Sequence, residues 1–179
     1  MRVAWLVLCA VTVGCGRSEP DVNARNASVA EVAEQVRDAT RQPGFIRPGK
    51  WVSEISFEEM SAPGMPPEVR DQMKGMLAAR KSYESCLSPE QAQRPKEDFF
   101  AGSDNKCRYE HFRMGDGKID AKMRCEQGSA RQLMELDGTY SPDAYQMRMS
   151  TQTDSSAGEM TMRMRVDAKR VGECEAKQS

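Results

Sequence analysis

The sequence predicts an α+β fold, a curved antiparallel β-meander packed around one amphipathic helix. Three observations predict it. Apolar and charged residues alternate strictly from Lys118 to Gln127 and again in later segments, the period of strands with one wet face. Gly115-Asp116-Gly117 separates two such segments, and Asp-Gly readily supplies the positive φ angles of a tight hairpin. Val69, Met73, Met76 and Leu77 fall at helical spacing directly behind Pro66-Pro67.

The elements are taken in chain order. Met1-Arg2 and the apolar run Val3–Val13 read as the charged and hydrophobic regions of a signal peptide. The run is shorter than the roughly 20 residues a membrane-crossing helix needs. It ends in Val13-Gly14-Cys15-Gly16, where a small residue before a cysteine suits lipoprotein signal peptidase, although Thr12 stands where leucine is commoner. Residues 1–14 are therefore expected to be the signal, and Cys15 the lipidated, membrane-anchored first residue of the exported chain. The competing reading is an ordinary signal cut nearby, and both send the chain out of the cytoplasm. Gly16, not Asp, favours the outer membrane. More than one acyl chain on Cys15 would hold the anchor stably.

Residues 15–47 read as a flexible tether with a root-mean-square span of roughly 30 Å. Ser28 and Glu31 form a candidate capping box for a short helix at 29–40, with Val29, Val32 and Val36 on one face. That helix is expected to dock weakly or not at all. The folded domain is expected over 48–175, opening with a strand in which Trp51, Ile55 and Phe57 face one way. The amphipathic helix comes next over Glu68–Arg80, then a strand over Ser82–Leu87 and a helical turn at Ser88-Pro89-Glu90-Gln91. Strands at 106–114, 118–127, 130–139, 143–151 and 159–168 complete the meander, with Thr153–Gly158 as a polar loop.

Charge and cysteine content narrow the function classes. The exported part carries 25 Lys and Arg against 27 Asp and Glu, so no global field recruits nucleic acid. Of six cysteines, Cys9 leaves with the signal and Cys15 takes lipid. Cys86, Cys107, Cys125 and Cys174 remain, an even set that reads as two disulfides in an oxidising compartment. The spacings of 21, 18 and 49 contain no CxxC knuckle for zinc. Three pairings are open. Successive pairing, Cys86 with Cys107 and Cys125 with Cys174, is expected ahead of the one in which the hairpin register sets Cys107 opposite Cys125.

Thirteen methionines are the other compositional signal. Met147 and Met149 alternate on one predicted strand, and Met160, Met162 and Met164 on the next, so each set shares a face. The expected role is core packing against Met73 and Met76, with Met as a pliable filler. A groove for an apolar ligand or partner fits the same stripe. The rival from another class is a periplasmic Cu(I) site, since thioethers select that ion. His111 is the one histidine and reads as a partly exposed strand residue. Neither Ser85 nor Ser103 has a nucleophile-elbow context, and Glu54, Glu58 and Glu59 read as a solvated face. No GxGxxG, P-loop or HExxH pattern occurs. The expectation is no catalytic residue, cofactor or resident metal, and so no enzyme.

Pro48-Gly49-Lys50-Trp51, Met65-Pro66-Pro67-Glu68, Cys86-Leu87-Ser88-Pro89-Glu90-Gln91, Cys107 with Tyr109 and Phe112, and Arg170-Val171-Gly172-Glu173-Cys174 form an ordered set. Together they resemble the domain-of-unknown-function 3617 family, small exported proteins of Gram-negative bacteria, many of them lipoproteins. The resemblance covers roughly residues 48–175, with Lys50 where the family often has an apolar or small residue. It implies a common fold and compartment, and no activity or catalytic residue. The functional expectation is a non-enzymatic envelope lipoprotein, bound to the membrane by its anchor and meeting an envelope protein or apolar ligand.

Overall fold

The computed structural model describes residues 21–40, 45–77, 80–93, 106–156 and 158–175. The signal peptide and Cys15 lie outside the described residues, as does Ser103. The architecture is an open, curved antiparallel sheet with a few short helices. Among the described residues, eight strands run in the order β1-β4-β5-β6-β7-β8-β2-β3. They are β1 Val22–Ser28, β2 Gly49–Ser61, β3 Lys81–Leu87, β4 Cys107–Gly115, β5 Lys118–Gln127, β6 Ala130–Ser141, β7 Ala144–Ser155 and β8 Gly158–Gly172. The helices are α1 Val29–Thr40, α2 Pro67–Leu77 and α3 Pro89–Gln93. No described helix is long and apolar enough to cross a membrane.

The meander from β4 to β8 obeys its sequence pattern. Asp116 and Gly117 take positive φ, 50° and 68°, which closes β4 on β5 with a two-residue turn. Strands β7 and β8 run further than the alternation suggested, to Ser155 and from Gly158, so most of the expected polar loop is paired backbone. Thr153 within this extension is β-branched and half-buried, a setting that suits a pleated surface.

Two sequence expectations are corrected. The stretch 15–47 is not all tether, because β1 pairs with β4 from Val22 opposite Met114 to Ser28 opposite Arg108. Helix α1 carries the core: Val32 is 0% and Val36 2% exposed, packed with Val22, Ala24, Tyr109, Phe112, Met114 and Ile119. Its capping box is formed as expected. Ser28 N–H donates to Glu31 Oε2 at 2.6 Å and Glu31 N–H to Ser28 Oγ at 3.2 Å. The Ser28 backbone bond, then its hydroxyl, holds the Glu31 carboxyl below the usual range. The helix expected at the centre is instead peripheral: α2 has no buried residue, and Val69 and Met76 are 45% and 61% exposed. Both helices are amphipathic, so periodicity could not say which one the sheet closes over.

The disulfides are Cys86–Cys174 and Cys107–Cys125, which overturns the successive pairing. Cys107 lies directly opposite Cys125 in the β4–β5 ladder. The other pair is a consequence of the strand order, because β2 lies between β8 and β3. Lys50 is flanked by Gly172 on one side and Cys86 on the other, so two residues beyond Gly172 suffice to reach across. Gly49 permits this crowding, since a Cβ there would stand 2.4 Å from the Gly172 carbonyl oxygen.

Candidate functional site

Strand register divides the inner face, the one bearing α1, into two halves. Over β1, β4 and β5 it is closed by α1 and Phe45 into the packed core. Over β7, β8 and β2 the same face continues as rows of directly opposed residues. Met147, Val166 and Ile55 form one row, Met149, Met164 and Phe57 the next, and Thr151, Met162 and Met60 the third. Apart from Met60, these side chains are only half-buried. The end of this half near the β2 start is closed by Trp51, which stacks on Tyr145 at 5.8 Å and donates its indole N–H to the Arg47 carbonyl at 3.1 Å.

A β-bulge completes the surface. Phe57 pairs with Met164 and Glu59 with Arg163, so Glu58 is an extra residue in β2. Such an insertion shifts the side-chain alternation by one and re-aims the side chains beyond it. Met60 therefore joins the face of Phe57, opposite Met162, and is 9% exposed. Simple alternation from Trp51 puts Met60 on the wrong side, and the sequence reading missed it. The adjacent acids Glu58-Glu59, which break the alternation, were the available signal.

The methionines of the sequence stripe thus separate. Met147 packs against the α1 core. Met160 lies opposite Thr153, past the last β2 pair of Ser61 with Thr161. Met149, Met162 and Met164 share one continuous patch with Met60. Met147 packs on the α1 core as expected, while Met149, Met162 and Met164 lie half-buried beside the buried Met60.

The outer face is a polar lattice. Glu110 takes Arg124 and Lys122, and Lys122 also reaches Glu135 at 3.0 Å. Arg163 meets Glu59 at 2.6 Å, Arg148 meets Glu58 at 3.9 Å and Arg80 meets Glu54 at 3.5 Å. The three glutamates are thus spread over separate ion pairs and do not converge. Arg165 grips Asp167 through Nε and Nη2 at 2.7 and 2.9 Å, and this bond holds the Asp167 carboxyl below its usual range. His111 Nε2 lies 2.9 Å from Asp120 Oδ1, beside Arg113 at 3.3 Å, on this outer surface. Ser85 is exposed on β3. Among the described residues no three His, Cys, Asp or Glu cluster as a metal site.

Shallow grooves border this face among the described residues. One, of about 680 Å³, is lined by Val52, Glu54, Tyr145, Gln146, Asp167 and Lys169 among others. Its polar groups are already engaged with one another, Gln146 Nε2 donating to Asp167 at 2.7 Å. The methionine patch is instead lined by half-buried apolar side chains. Residues 46–174 match the family described as "Protein of unknown function (DUF3617)". No curated protein and no solved structure matches the chain.

Proposed function

The chain belongs to the DUF3617 family, and we propose that it is an exported lipoprotein, anchored through Cys15 and facing the periplasm, that binds an apolar ligand or partner on its methionine-rich half-face. The observation that carries this reading is the half-open patch of Met149, Met162 and Met164 beside a core closed elsewhere by α1. A contiguous set of apolar side chains that the fold leaves only partly buried marks an interaction site. Methionine suits the task because its unbranched thioether re-packs around different shapes. The described outer carboxylates are committed to separate ion pairs, and we read the chain as a binding module.

The anchor bears on where binding occurs. With β1 starting at Val22, the connection from Cys15 is residues 15–21, whose extended reach is at most about 25 Å. The domain would be held at the membrane surface, the outer membrane by the Gly16 preference, and not on a long leash. Intact mass spectrometry of the chain taken from bacterial membranes tests the anchor. The expected mass is residues 15–179 plus acyl groups, and an unacylated mass would end the lipoprotein reading.

The ligand is tested with a fluorescent long-chain fatty acid. Native protein should bind it saturably, and Met164→Glu should weaken binding about tenfold, a loss of about 1.4 kcal/mol. Equal binding by both proteins would show that the patch is not the site.

A further inference from the structure

We propose that Met60, Met149, Met162 and Met164 form a thioether site for a soft monovalent metal ion, Cu(I). The inference shares the half-open face with the proposed function but does not depend on an apolar ligand. Four sulfur-bearing side chains form a staggered cluster over three adjacent strands, Met162 and Met164 on β8 with Met60 on one neighbour and Met149 on the other. Met149 stands opposite Met164 across β7 and β8, and Met60 opposite Met162 across β2 and β8. Met162 and Met164 are successive residues of the same face. Directly opposed Cβ atoms lie about 4.5–5.5 Å apart, and flexible three-bond side chains at that spacing can bring their ends together.

Two features separate this cluster from a generic greasy surface. The Glu58 bulge exists at the one place where it turns Met60 toward the other three, and bulges commonly re-aim a functional side chain. Burial is also graded as a metal site needs. Met60 is buried at the floor while the other three are only partly buried, which leaves an approach for the ion. Soft thioethers select Cu(I) over the harder ions that carboxylate or imidazole would take. The four cysteines of the domain are tied in disulfides and offer no competing thiolate.

The test exploits a property of leucine, which conserves the apolar volume of methionine but has no sulfur. The exported chain is titrated anaerobically with Cu(I) against a chromophoric chelator. One ion per chain is expected, and Met149→Leu with Met164→Leu should weaken it at least about tenfold. On native protein, the methyl carbon resonances of Met60, Met149, Met162 and Met164 should shift on adding Cu(I), whatever the variants' folding. Unaffected affinity in the leucine variant, or unshifted resonances in the native chain, would overturn the site.

Discussion

Val32→Asp should destabilise the domain by at least about 4 kcal/mol, whereas Val69→Asp should change its stability by no more than about 0.5 kcal/mol. The two positions are matched. Each is a valine in the first turn or so of a helix, so helix propensity and the favourable placement of a negative charge near a helix N-terminus act alike in both. Only the surroundings differ. Val32 is 0% exposed, among Val22, Tyr109 and Phe112, where a carboxylate would find neither water nor a partner. Val69 is 45% exposed on a helix with no buried residue. A loss of about 4 kcal/mol is a large share of the roughly 5–15 kcal/mol that holds a domain of this size together. Urea titration by circular dichroism would read it as an unfolded or barely folded variant. Similar effects at the two valines would mean that α2 shares the core.

The same contrast shows what the sequence could disclose. The meander from β4 to β8 was legible because each strand alternates and each turn carries its own chemistry, Asp116-Gly117 above all. The capping box of α1 was legible as well, since Ser28 and Glu31 satisfy each other locally. The partner of each helix was not, because amphipathic spacing states that a face is apolar and not what covers it. Nor was β1, whose Val22, Ala24 and Ala27 break alternation at Asn26. Asn26 takes a φ of 49°, and Glu110 is the matching extra residue in β4. Bulges defeat period counting wherever they occur, and the register shifts at Lys50/Trp51, at Glu110 and at Glu58. The last of these hid Met60 from the candidate site. The position of β2 between β8 and β3 was the other missing fact, since it joins segments more than 100 residues apart.

That non-sequential placement makes the disulfides the second sharp test. Cys86–Cys174 closes a separation of 88 residues and Cys107–Cys125 one of 18. On loop-closure entropy alone, the first should stabilise by about 4–5 kcal/mol and the second by about 3 kcal/mol. Cys86→Ala with Cys174→Ala should therefore lose more stability than Cys107→Ala with Cys125→Ala, even though the latter pair is buried in the core and the former lies toward the surface. The slope of stability against denaturant discriminates further. Releasing the long loop lets the unfolded chain expand and expose more surface, so the slope should rise more for the first variant than for the second. A larger loss at Cys107 and Cys125 would mean that core packing outweighs chain entropy. The larger effect at Cys86 and Cys174 also has a location. This bond ties the carboxyl-terminal end to β3 across β2, so its removal frees the edge beside the strand that supplies Ile55, Phe57 and Met60. Hydrogen exchange should accordingly rise first along β3 and β2, while the amides of β4 and β5 keep their protection.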